Sequence, residues 1–156
     1  MGASTIRTKI ERQTIYKACI MFTKVIKSPL EAELQNIAAE YGFAPKIHSI
    51  DGSSVTMDKI DGACLADIYT DDPYKVPDAI WFEINRILAV LYEREGIEYI
   101  DITSYNFMED KQGKIWIIDF GDAYYTPKKK GEAASNWFLR HLLAGNFGKG
   151  WNTDFE

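Results

Sequence analysis

Cysteine and histidine are scarce in this chain: two cysteines, Cys19 and Cys64, and two histidines, His48 and His141, among 156 residues. The cysteines stand far apart and outside any C-x-x-C pattern, which excludes a disulfide scaffold and points to a reducing compartment. So few soft ligands also exclude a zinc site built from Cys and His. No apolar run reaches the roughly 18 residues of a membrane span, so none is expected. An excess of positive charge is missing too. The formal net charge is -5, which argues against a nucleic-acid binder working through bulk charge, though not against one anion in a local basic pocket. The N-terminus lacks the charged and apolar regions of a signal peptide, and Ile6 stands where a myristoylation start wants Ser or Thr. By elimination the expectation is a cytoplasmic protein.

What is present is an ordinary globular balance, 46% hydrophobic and 26% charged, which predicts a packed core in a single domain. Residues 5 to 20 carry β-branched and aromatic residues around a polar Glu-Arg-Gln break and read as a hairpin. Ser28-Pro29 reads as a helix N-cap followed by proline at the first helical position. The helix continues through Leu30, Leu34, Ile37 and Ala38 and stops at Gly42. A second hairpin is predicted around Asp51-Gly52. From Pro77 to about Glu95 the spacing of Ile80, Ile84, Ile87, Leu88 and Leu91 predicts an amphipathic helix. A third hairpin joins NFMED to KIWIID through the turn Asp110-Lys111-Gln112-Gly113. A last helix is expected near 133 to 144.

The third hairpin carries the chemistry. Asn106 opens it and Asp119 closes it, so a tight hairpin brings the two side chains together. Two neighbouring oxygen ligands suit magnesium, which shares its shell with phosphates. Asp101, five residues before Asn106, is placed to accept a proton from an attacking hydroxyl.

These residues also carry a resemblance. YIDITSYN resembles the protein-kinase catalytic loop H-R-D-L-x-x-x-N, and Asp119-Phe120-Gly121 is the D-F-G motif, in the right order and joined by a hairpin. The resemblance implies a reduced protein-kinase-like α+β fold. Residues 1–58 would form a small lobe, an antiparallel sheet with helix αC, and residues 59–156 a truncated, mainly helical large lobe. It implies ATP and Mg2+ as cofactors, with Asn106 and Asp119 as metal ligands and Asp101 as the catalytic carboxylate. Met57 would be the gatekeeper, and Asp58 through Ile60 would meet the adenine edge. Glu33 would be the αC glutamate, with Glu31 as the alternative. The phosphate lysine is Lys17 or Lys24. Lys24 lies only nine residues before Glu33, which leaves little chain for a strand end and turn, so the spacing favours Lys17.

The pattern also departs from that family. Gly2-Ala3-Ser4 is the only remnant of a Gly-rich loop, which implies weaker phosphate binding. Tyr99 and Ile100 replace His and Arg before Asp101. Thr103 replaces a lysine that helps neutralise the transferring phosphate, as in the small atypical kinase that supports tRNA threonylcarbamoylation. Only 35 residues follow Gly121, too few for a full activation segment and peptide groove. Lys128 to Lys130 reads as a solvated loop. Trimming of this kind is similar to that of kinase-like proteins of large DNA viruses, which would place the chain in host cytoplasm. The leading expectation is an atypical Ser/Thr protein kinase. The alternatives are a pseudokinase that binds nucleotide or a partner protein, and a small-molecule kinase. An unidentified protein acceptor or partner is implied, with no membrane and no nucleic acid.

Overall fold

The computed structural model describes residues 21–70 and 72–126. The first predicted hairpin, Gly2, Lys17, the Lys128–Lys130 run and the last predicted helix lie outside the described residues. The fold begins with strand β1 (Met21–Val25) and helix α1 (Pro29–Glu40), then β2 (Ile47–Asp51) and β3 (Ser54–Asp58). Next come β4 (Gly62–Cys64), α2 (Leu65–Tyr69), a 3-10 turn at Pro73–Lys75, and the long helix α3 (Asp78–Glu95). Strands β5 (Ile97–Glu98), β6 (Phe107–Asp110), β7 (Ile115–Ile117) and β8 (Tyr124–Tyr125) complete it. They form two antiparallel three-stranded sheets, ordered β1-β3-β2 and β4-β6-β7, and a two-stranded pair, β5-β8. This is the reduced kinase-like α+β arrangement that the sequence leads one to expect.

Only three residues separate β1 from α1. Ser28 occupies the N-cap with extended dihedrals but makes no side-chain cap bond. The cap comes from the helix itself: Glu31 Oε2 accepts the Lys27 backbone N–H at 3.0 Å, much as the third-position carboxylate of a capping box reaches back. The Ile26 N–H donates to the Ser53 carbonyl at 2.8 Å, which ties the turn to the neighbouring hairpin. Helix α1 stops where Gly42 takes φ +77°, a conformation that costs glycine nothing.

Helix α3 is the centre of the larger core. Ile84, Ile87, Leu88 and Leu91 are fully buried, each contributing on the order of 1.5–3 kcal/mol of transfer free energy. They pack with Leu34, Ala38 and Phe43 of α1 and the segment after it, and with Ile97, Phe107, Ile117 and Phe120 around the third hairpin. A second, smaller cluster of Ile26, Ala32, Val55 and Met57 lies between α1 and the first sheet. The Ile117 N–H donates to the Phe43 carbonyl at 2.8 Å, so the segment after α1 is stitched to β7.

Two hairpins stand where the sequence predicts them. In β2–β3, Asp51 pairs with Ser54 across the turn. In β6–β7, Phe107 pairs with Ile117 and Glu109 with Ile115. Asp110 organises the second turn: its Oδ1 accepts the N–H groups of Gln112 and Lys114, each at 2.9 Å, and its Oδ2 accepts the Trp116 indole N–H at 3.0 Å. Gly113 completes that turn with φ +83°.

Among the described residues no helix is long and apolar enough to cross a membrane.

Strand β4 pairs with β6 so closely at Gly62 that a Cβ there would sit 2.1 Å from the Glu109 carbonyl oxygen. A backbone atom cannot rotate away, so Gly62→Ala is expected to cost on the order of 1–3 kcal/mol by overpacking. A thermal melt should show a fall of roughly 2–4 °C per kcal/mol, and an unchanged melting temperature would refute that contact.

Candidate nucleotide and metal site

Between the first sheet and the third hairpin lies a cleft of about 390 Å³. Its roof follows from strand alternation. Phe22 and Lys24, two apart on β1, lie opposite Met57 and Val55 of β3, so one face of the strand pair offers a ring, an ammonium and a thioether. Asp58, Lys59 and Ile60 line the connecting segment, while Tyr105, Asn106, Met108, Ile118 and Asp119 line the floor. Behind the wall, the buried Gln35 amide donates to the Pro45 carbonyl at 2.9 Å and to Met57 Sδ at 3.3 Å.

At the far end of the cleft Lys24 is ion-paired with Glu31 Oε1 and lies 3.3 Å from Asp119 Oδ1. Glu31 is 2% exposed, so its charge is sustained by the lysine on one oxygen and the Lys27 N–H on the other. Asp119 Oδ1 also accepts the Gly121 N–H at 2.8 Å. The Ile118 N–H donates to the Asn106 carbonyl at 3.1 Å, closing the open end of the hairpin and setting Asn106 beside Asp119. The Asn106 amide nitrogen donates to the Asp101 carbonyl at 2.8 Å, which leaves the amide oxygen as the end for a cation. Beneath them, the buried Tyr99 ring meets Phe120 and Phe107 edge to face, at 5.4 and 5.8 Å between centroids. This contact fixes the segment before Asp101 against the one after Asp119.

Four carboxylates, Glu31, Asp101, Asp119 and Asp122, thus gather around two lysines, Lys24 and Lys27. Burial first, then repulsion from Asp122 and Asp119, pushes the Asp101 carboxyl above its ordinary value, against the opposing hydrogen bond from Asn106. The Lys27 ammonium is held above its usual value chiefly by its hydrogen bond to Asp122. Burial, and then Asp119 and Asp101, raises Tyr99 well above the phenol range.

Of the residues named from sequence, the structure brings Met57, Asp58, Ile60, Asn106 and Asp119 to one cleft, with Asp101 beside Asn106. Lys17 and Gly2 lie outside the described residues. The lysine that meets Asp119 is Lys24. Spacing disfavoured it, but three residues suffice for a turn that borrows its hydrogen bonds from Ser53 and Glu31. The glutamate that meets Lys24 is Glu31 and not Glu33. Two residues apart on a helix are turned by about 200°, so Glu33 is exposed and accepts the Tyr125 hydroxyl at 3.0 Å. The signal was in the sequence: Glu31 shares its helical face with Leu34 and Ala38. Gln35, four residues after Glu31, lies on the same face, whereas Lys27 carried no such signal.

Because the folded-state pKa of Asp101 lies above its unfolded value, the folded protein binds that proton more tightly, and stability falls as pH rises through this window. Asp101→Asn is therefore expected to melt above wild type at neutral pH. The gap should close as the pH is lowered into the carboxylate range. A gap that widens in acid would refute the assignment of Asp101 as a half-buried carboxyl with a raised pKa.

A single fold family accounts for this arrangement. The structure is similar to that of the kinase PK-1 of Cydia pomonella granulovirus, with a TM-score of 0.58 and 16% identity over 72% of this chain and 46% of that one. It is also similar to Rv3197 of Mycobacterium tuberculosis, solved in complex with erythromycin, with a TM-score of 0.51 and 24% identity over 63% of this chain and 27% of that one. The chain thus spans less than half the length of either structure, and at these identities the likeness is one of fold. The sequence model of the RIO domain matches residues 5–141. The chain belongs to the RIO-domain family, within the atypical protein-kinase-like superfamily.

Proposed function

We propose that the protein is an ATP- and magnesium-dependent phosphotransferase of the atypical Ser/Thr protein kinase kind, passing the terminal phosphate of ATP to a hydroxyl of a protein acceptor. The observation that carries this reading is the cleft that ends on Lys24, Glu31 and Asp119 with Asn106 alongside. Its apolar end, with Phe22, Met57 and Ile118, suits a flat base. Its polar end suits phosphates.

The residues fit a hard divalent cation. Among the described residues no three Asp, Glu, His or Cys side chains converge into an all-protein metal site. Asn106 and Asp119 supply two oxygen ligands, and phosphate oxygens and water would complete the shell, as magnesium prefers. Among the described residues, four carboxylates against two lysines leave the end of the cleft short of positive charge, which a cation would supply. Bound MgATP supplies an electrophilic phosphorus whose departing charge the metal neutralises.

In this reading residues 1–58 form the small lobe and 59–156 the large one. Asp58 to Ile60 offer backbone groups to the adenine edge. Lys24, steadied by Glu31, grips the inner phosphates. Asp101 orients the acceptor hydroxyl and takes its proton. Its raised pKa makes it a better proton acceptor than an ordinary aspartate. Asp101→Asn is expected to lower transfer about 10²–10⁴-fold, with nucleotide binding retained.

Thermal unfolding with ATP, with and without magnesium, tests the site. Ligand at a hundred times its dissociation constant adds about 2.7 kcal/mol, a rise of roughly 2–4 °C for each kcal/mol. The rise is expected in wild type only with magnesium and is expected to vanish in Asp119→Asn. No rise in wild type at millimolar ATP would sink the enzyme reading and favour a partner-binding role. Tyr99, Ile100 and Thr103, which replace residues of the catalytic-loop motif, are the features that fit such a role.

A further inference from the structure

Beside the Asp119 end of the cleft, outside its lining, stands a lysine that the catalytic reading does not use. Lys27 lies in the turn between β1 and α1, three residues after Lys24. Its backbone N–H is bound to Glu31 Oε2, the same carboxylate that holds Lys24. Its stem crosses the segment after Asp119: a Cβ on Gly121 would lie 3.3 Å from Lys27 Cδ and 3.1 Å from Asp119 Oδ1. The ammonium ends 3.3 Å from Asp122 Oδ1. The two lysines differ in how firmly they are held. Lys24 is 20% exposed and shared by two carboxylates, one of them buried. Lys27 and Asp122 are 69% and 51% exposed, and an exposed pair of this kind is weak and easily exchanged. A terminal phosphate carries more negative charge than one carboxylate and presents three acceptor oxygens. The long lysine stem can swing between the two without moving the backbone.

We propose that Lys27 is a phosphate-contacting residue: as nucleotide enters, its ammonium leaves Asp122 for the terminal phosphate, and the Lys27–Asp122 pair holds it ready in the free protein. This rests on the reading of the cleft as an ATP site. Thr103, a hydroxyl residue two positions past Asp101, brings no charge to that end of the cleft, so among the described residues Lys27 is the cation beside Asp119 whose ammonium is not already committed to Glu31. Asp122 acts as a competitor for the lysine. The two partners of one ion pair therefore have opposite effects on ATP, which a purely structural strap between the lobes would not produce.

Titration calorimetry of the full chain with MgATP and MgADP separates the cases. Lys27→Met is expected to weaken MgATP about tenfold, the loss of one charge-assisted contact, and to leave MgADP within about twofold. Asp122→Asn is expected to strengthen MgATP a few-fold with MgADP again little changed. Lys27→Arg should stay near wild type. Equal losses for ATP and ADP in Lys27→Met, no loss at all, or weaker ATP binding in Asp122→Asn would each overturn the proposal and make the pair a strap. If wild type binds neither nucleotide, the ATP reading itself fails, and this inference with it. Melting curves of the three variants without nucleotide confirm that each is folded before the affinities are compared.

Discussion

The ion pair between Lys24 and Glu31 is the contact on which the rest of the site depends. It joins strand β1 of the first sheet to helix α1, and through Asp119 it reaches the segment that follows the third hairpin. Glu31 is buried, so its charge is tolerable only while the lysine and the Lys27 N–H serve it. Taking one partner from such a pair leaves an uncompensated charge, typically costing about 3–5 kcal/mol, more than the pair itself contributes to stability. The arrangement is better understood as a device for position than as a source of stability. It sets the height of α1 over the cleft, and Gln35, one turn further along the same face, repeats the contact at the other end through Pro45 and Met57.

The floor of the cleft has a different origin. Antiparallel pairing of β6 with β7 brings Asn106 and Asp119 together as a consequence of hairpin geometry, and the Ile118 to Asn106 backbone bond closes the junction. Tyr99, Phe107 and Phe120 fill the space beneath with edge-to-face contacts. The polar residues above therefore rest on an aromatic base that belongs to the main core. Among the described residues, roof and floor meet with opposite charge in unequal measure, with carboxylates in surplus.

Much of this was legible in the residues. Turn chemistry at Asp51-Gly52 and at Asp110 to Gly113 located two hairpins, and the spacing from Ile80 to Leu91 located the central helix with its buried face. Asp101, Asn106 and Asp119 could be named together because they lie within one local unit whose ends must meet. The lysine and the glutamate were harder. Lys17 and Lys24 both sit in strand-like runs, and counting residues favoured the former because a connection of three residues looked too short. The turn is short because Ile26, Lys27 and Glu31 take their hydrogen bonds from partners that the count does not see.

The sequence by itself determined the elements and the chemistry of the third hairpin, because periodicity, turn residues and hairpin closure act over a few positions. The helical spacing of Glu31 with Leu34 and Ala38 was there to be read as well, although the resemblance named Glu33 first and Glu31 as the alternative. Only the tertiary structure decided which lysine reaches which carboxylate, that Gln35 stands behind Met57, and that Lys27 lies across Gly121 beside Asp122. Those contacts join residues far apart in the chain, up to 95 positions for Lys27 and Asp122. They follow from how the first sheet and α1 are seated on the core formed by α3 and the hairpin, and no local rule contains that geometry.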